Sequence, residues 1–176
     1  MMKKFFSSIT LVALVGMMVA GLAQAATDNV TATVTVLYSA VSLDQSSFAY
    51  GSMNNDTAST TLPYWSGAGI EATTTGGTID LDIYGANTTG GGTGWTLSTA
   101  SSSNNYIHQF CEDTTDDCTT PDTNYVGNEL TTSPQTLKSA VPGGTAINFQ
   151  LRIVTPQTPT DFTEQSAVVT VQATAV

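Results

Sequence analysis

Residues 146–154 read AINFQLRIV, and no other stretch restricts the possible folds as strongly. Ile147, Phe149, Leu151 and Ile153 take every second position, with Asn148, Gln150 and Arg152 between them. Side chains of a β-strand alternate between two faces, so this spacing makes one face apolar and the other polar. On a helix the same four apolar residues would divide between opposite sides. The run is therefore a strand with one buried face, and it needs a second layer to bury that face against.

Three further runs repeat the period. In TIDLDIYG, Ile79, Leu81 and Ile83 fall on one side and Thr78, Asp80 and Asp82 on the other. SAVVTVQATAV places Val169, Val171, Ala173 and Ala175 together, and VTATVTV places Val30, Ala32, Val34 and Val36 together. Weaker strand signals cover Val41 to Tyr50, Leu62 to Ile70, Trp95 to Thr99, Asn105 to Phe110 and Thr136 to Val141. Between the runs lie GANTTGGGTG, VPGGT and TPQTPTD, rich in residues that turn the chain. Eight or nine short strands, each with one polar face, predict an all-β, antiparallel β-sandwich. A closed barrel is the alternative.

The N-terminus carries a different signal. Lys3 and Lys4 precede an apolar run from Ile9 to Leu22, and Ala23-Gln24-Ala25 supplies a small-x-small cleavage pattern. The run is short for a membrane span, so residues 1–25 read as a secretory signal peptide and 26–176 as one exported domain. The expected destination is the periplasm, the cell surface or the exterior, with no transmembrane helix. Removing 25 of 176 residues leaves 151, of which 31 are threonine, a β-branched residue suited to the outer face of strands. It also leaves only Lys138 and Arg152 against fourteen carboxylates, a net charge of −12 (2 − 14). Such a surface repels nucleic acid and anionic membranes.

FCEDTTDDCTT, residues 110–120, contains both cysteines. An oxidising compartment joins cysteines that can meet, so Cys111 and Cys118 are expected to staple this loop. A redox role would need a closer pair with a lowered thiol pKa, and the neighbouring carboxylates act the other way. The same loop offers Glu112, Asp113, Asp116 and Asp117 as oxygen ligands for calcium. It lacks the regular spacing, the turn glycine and the closing glutamate of a helix-loop-helix calcium site. No cofactor is required by the sequence; calcium is the one alternative.

Catalytic chemistry is sparsely supplied. His108 is the sole histidine, and no G-x-S-x-G surrounds a serine. TTGGGTGW lacks the Lys-Ser/Thr ending of a phosphate loop and reads as a flexible connection. Asp80 and Asp82 form a carboxylate pair, but on the outward face of a plain strand. The sequence thus argues against an enzyme. Among aromatic residues, Tyr64-Trp65 beside Pro63 is the expected exposed pair, a platform for stacking a sugar ring, whereas Trp95 opens an apolar strand and is expected in the core. Glycan binding is the alternative function.

The first strand after the signal, Val30 to Val36, carries no charge and is suited to join a neighbour's sheet edge. The order TATVTV…SFAYGSM…IDLDIYG…WTLST…TAINFQLRI…TPTDFTEQSAVVTVQA resembles secreted bacterial immunoglobulin-like sandwiches. It is also similar to spore-coat-U-like and archaic chaperone–usher pilin subunits. An F-x-x-G segment follows the first strand in those subunits, matched by Phe48-Ala49-Tyr50-Gly51, and a Gly/Pro/Thr turn before their last strand is matched by residues 159–162. The chain departs from the pilin pattern in having no cysteine near residue 26 and no aromatic residue close to Val176. The resemblance implies a surface-fibre subunit that associates with its own copies, or with other surface proteins, by strand pairing.

Overall fold

The computed structural model describes residues 38–61, 69–113, 118, 124–125 and 127–176. The proposed signal peptide, the segment Val30 to Val36, Tyr64, Trp65, Asp116 and Asp117 lie outside them. The described residues belong to one compact unit, Val36–Val176.

The run AINFQLRIV forms the central strand of the larger sheet, as its two-residue period requires. It is β8 (Ala146–Val154), the longest of nine strands among the described residues. The others are β1 (Ser39–Leu43), β2 (Ala58–Thr60), β3 (Ile70–Gly76), β4 (Ile79–Gly85), β5 (Thr96–Leu97), β6 (Asn105–Glu112), β7 (Gln135–Val141) and β9 (Val169–Ala175). Six strands make one sheet in the order β1-β3-β8-β6-β5, with β2 also paired to β8. The other sheet has the order β7-β4-β9. Pairings are antiparallel except for the short β5–β6 contact, which is parallel. The fold is a β-sandwich, and each sheet keeps its ends rather than closing into a barrel.

Register aligns the apolar faces. Ile70 lies opposite Phe149 and Ala72 opposite Ile147, while Leu151 faces Phe110 across β6. On the second sheet Leu81 pairs with Ala173 and Ile83 with Val171. Ile79, Leu81 and Ile83 are fully buried, and Ile147, Phe149, Leu151 and Ile153 nearly so. Burying side chains of this kind contributes about 1.5–3 kcal/mol each before chain entropy is charged against it.

Three segments differ from the sequence expectation, one being β2, which no expected run covers. The run expected over Val41 to Tyr50 stops pairing at Leu43, and the chain beyond leaves the sheet. Conversely, IEATTTG forms β3, which the threonines obscured. Thr74 is buried on its inner side because its hydroxyl donates to the carbonyl oxygens of Pro142 (2.8 Å) and Thr145 (3.0 Å). A satisfied hydroxyl can occupy a core position that the pattern reserves for aliphatic residues. At the end of β3, Gly76 adopts φ +110° with the Tyr38 carbonyl against it, so any side chain there would be both strained and obstructed.

Candidate functional site

The strand β6 carries the polar exception in the core. Its alternation puts Tyr106, His108, Phe110 and Glu112 on the inner face, opposite the apolar residues of β8. His108 is only 3% exposed. Its Nε2 lies 3.0 Å from the hydroxyl of Tyr50, which comes from the segment following β1. Burial pushes the His108 pKa down to about 4, so the ring is neutral near pH 7. Burial likewise raises the Tyr50 and Tyr106 hydroxyls above their ordinary range.

An aromatic row extends on both sides of this imidazole. Phe48 meets Tyr50 edge-on at 4.8 Å, Tyr50 meets His108 at 5.9 Å, and Tyr106 lies 6.2 Å beyond. Trp95 closes the row 6.4 Å from Tyr106. The Tyr106 hydroxyl donates to the Ala86 carbonyl at 2.5 Å, tying β6 to the end of β4 on the other sheet. Trp95 is half-buried rather than fully enclosed: its indole N–H donates to the Asp161 carbonyl at 3.4 Å.

Beneath the 45–50 segment lies a partly open cavity of about 150 Å³. Leu43, Ile70, Phe149 and Leu151 line it from the larger sheet, and Val169 and Val171 from β9. Phe48, Tyr50 and His108 supply its aromatic side. The cavity lies on the side where β1 and β9, the outer strands of the two sheets, run close together.

On the opposite face of β6 the cysteines form the staple expected for an oxidising compartment. Cys111 and Cys118 form a disulfide with Cα atoms 5.9 Å apart, and both are fully buried with Tyr125. Residues 128–130 run along the edge of β6, where the Phe110 N–H donates to the Asn128 carbonyl at 3.1 Å and the Leu130 N–H to the His108 carbonyl at 2.7 Å. A disulfide is at home in an oxidising compartment.

The acidic residues of this loop have protein partners where they are described. Glu112 crosses between the sheets to Lys138 of β7, Oε2 to Nζ 2.7 Å. Asp113 accepts from the Cys118 amide at 3.3 Å and from the Gln150 side-chain amide at 3.3 Å. Among the described residues no three His, Cys, Asp or Glu side chains converge as a metal site would require. Asp80 and Asp82 are also engaged: Asp80 accepts the Ala140 amide at 2.8 Å, and Asp82 accepts from Gln172 at 3.4 Å.

The glycine-rich GGGTG connection is held by a clasp. Asp161 accepts from the Gly92 and Thr93 amides at 2.6 and 2.7 Å through one oxygen, and from the Thr163 amide and hydroxyl at 2.8 and 2.6 Å through the other. Bonds from Thr163, then from Thr93 and Gly92, hold this exposed carboxyl well below the usual carboxylate range. Asp161 stands 68 residues from Thr93, beyond the reach of any local pattern.

Of the expected site residues, the structure brings Cys111 and Cys118 together and sends Glu112 and Asp113 to different partners. It adds the Tyr50–His108 pair and its cavity. The Phe48-Ala49-Tyr50-Gly51 segment was the only local pointer to them. No helix among the described residues is long and apolar enough to cross a membrane. No family model, curated protein or solved structure matches the chain.

Proposed function

We propose that this protein is an exported, non-catalytic β-sandwich subunit that builds a surface or extracellular assembly by pairing strands between copies. The observation that carries this reading is the placement of two sheet ends. β1 and β9 terminate their respective sheets on the same side of the sandwich, and each pairs along one flank among the described residues. Val169, Val171 and Ala173 of β9 are half-buried against the core, and Val168 beside them is 58% exposed. An edge of this kind presents backbone donors and acceptors to a further strand.

A segment suited to this pairing is present in the same sequence. Val30, Ala32, Val34 and Val36 alternate with threonine immediately before Tyr38, which leads into β1. Offered to the edge of a neighbouring copy, this segment supplies backbone hydrogen bonds and an apolar face together. The buried disulfide and the small-x-small sequence at residues 23–25 support export.

Size-exclusion chromatography with light scattering on the processed chain, over a hundredfold concentration range, tests the reading. Concentration-dependent oligomers are expected, and deletion of residues 26–36 should leave monomers. A processed chain that stays monomeric throughout overturns it.

A further inference from the structure

Residues 45–53, QSSFAYGSM, belong to the connection between β1 and β2, and their ends are held differently from their middle. Before them, the Asp44 amide donates to the Glu71 carbonyl at 3.1 Å, and the Asp44 carboxylate accepts the Glu71 amide at 2.8 Å. After them, the Asn54 carbonyl accepts the Thr155 hydroxyl at 2.7 Å, and the Asn55 side-chain amide donates to the Gln157 carbonyl at 2.6 Å. The Asp56 amide adds a bond to the Pro156 carbonyl at 3.0 Å. Between these two anchors, the backbones of residues 45–47 and 49–53 meet no hydrogen-bond partner among the described residues.

The middle is fastened through side chains. The Tyr50 hydroxyl lies 3.0 Å from His108 Nε2, and Phe48 packs edge-on against the Tyr50 ring. Below them is not a packed layer but the partly open cavity of about 150 Å³, with Gln45, Ser46 and Ser47 of this same segment in its lining. Ile70, Phe149, Val169 and Val171 line the space from the two sheets. A segment without backbone bonds that rests on a void is drawn from the low-stability end of a fold, since lifting it breaks few contacts. Gly51, next to Tyr50, adopts φ +75° with nothing within 4 Å of where a side chain would stand, so the chain is free to turn there.

We propose that residues 45–53 are a strap that opens as a unit between its anchors at Asp44 and Asn54, is fastened by the Tyr50–His108 bond, and controls access to the inner face of β9. Opened, it uncovers Val169 and Val171, with Ile70 and Phe149 behind them. This deepens the strand-pairing reading and rests on it only for what then arrives at β9; the opening itself is a property of the single chain.

Chymotrypsin, which cuts after aromatic residues, is the probe, applied to the processed chain in dilute solution with the products read by mass spectrometry. Cuts after Phe48 and Tyr50 report the strap. Cuts after Tyr38 and Phe162, which are 65% and 82% exposed, report the activity of the protease in the same sample. Relative to those controls, strap cutting in the natural chain is expected to be slow and nearly independent of urea below the unfolding transition. Cutting of a transiently opened state follows its population, and opening this segment alone exposes little surface. Tyr50→Phe keeps the cutting site and removes the hydroxyl, so strap cuts should quicken about fivefold, the effect of one hydrogen bond, with the controls unmoved. Strap cutting that climbs with urea as steeply as global unfolding overturns the proposal, whatever the folding of the variant. So do strap cuts as fast as the controls in the natural chain, or strap cuts unchanged by Tyr50→Phe, since nothing would then be fastened there. None of these outcomes depends on oligomers, so the light-scattering experiment judges the strand-pairing reading by itself.

Discussion

His108 Nε2 sits 3.0 Å from the Tyr50 hydroxyl, so among the described residues the segment after β1 supplies the hydrogen-bond partner of the imidazole buried on β6. That single contact links the core, the cavity and the response of the fold to acid. The ring is neutral when folded, with its pKa pushed down to about 4, but titrates near 6.5 in an unfolded chain.

Between those two values the unfolded chain binds a proton that the folded one does not. The contribution is therefore intact above about pH 6.5 and is lost as pH falls toward 4, and the full difference amounts to about 3 kcal/mol. Carboxylates titrate over part of the same range, so the comparison needs a variant. Urea unfolding at pH 7 and pH 4.5 should show the natural chain losing about 2–3 kcal/mol more than His108→Gln. Equal losses in the two proteins would mean that the imidazole is hydrated in the folded state.

Glu112 and Lys138 make a second prediction, because their bond joins β6 on one sheet to β7 on the other. The Glu112 side chain is 9% exposed and the Lys138 side chain 31%, so solvent screens the pair in part. Removing the lysine alone strands a nearly buried carboxylate without its cation. Lys138→Met is expected to cost about 1–2 kcal/mol, below the range for fully buried pairs. Adding Glu112→Gln should recover a good part of the loss. A double-mutant cycle with no coupling would show that the two charges do not stabilise the join between sheets.

Reduction of Cys111–Cys118 should be felt moderately. In the chain-entropy account, closing a loop this short contributes roughly 2.5 kcal/mol. The Cys111→Ala, Cys118→Ala chain should therefore melt about 5–10 °C lower than the natural one, and the natural chain should move to the same temperature in strong reductant. Because both cysteines are fully buried with Tyr125, reductant should act slowly below the transition. Melting that is unchanged by either treatment would place the stability of this region in the hydrogen bonds of Asp113, and of Glu129, which accepts from the Gln109 side-chain amide at 3.1 Å.

The strands that carry alternating aliphatic residues were legible because burial on one face leaves a direct two-residue imprint, as at Ile79, Leu81 and Ile83. β3 was not legible, since Thr74 is buried by virtue of hydrogen bonds to Pro142 and Thr145, partners about 70 residues distant. The disulfide could be anticipated from two cysteines and an export signal. The destination of Glu112 could not: the sequence groups it with Asp113, whereas strand alternation turns it inward to Lys138. The cavity shares this character. Tyr50, His108, Phe149 and Val171 come from four separate segments, and only folding places them around one space.

Asp161 supplies the last prediction, and it concerns order in a connection that composition alone marks as loose. One carboxyl takes the amides of Gly92 and Thr93 and both donors of Thr163. Gly91 adopts φ +56° directly against the Thr163 hydroxyl, so the close approach depends on glycine as well as on the carboxyl. Hydrogen bonds from Thr163, Thr93 and Gly92 hold the Asp161 pKa well below the carboxylate range. A depressed pKa means the clasp is at full strength above about pH 4 and weakens only as pH falls further. Amide hydrogen exchange at pH 4 should accordingly find Gly92 and Thr93 protected in the natural chain, under conditions where an ordinary aspartate is already partly protonated. Asp161→Asn keeps the shape but removes the charge and one acceptor, so both amides should exchange severalfold faster while those of β8 stay unchanged. Equal exchange in the two proteins would show that backbone packing, not the carboxyl, orders the glycine connection.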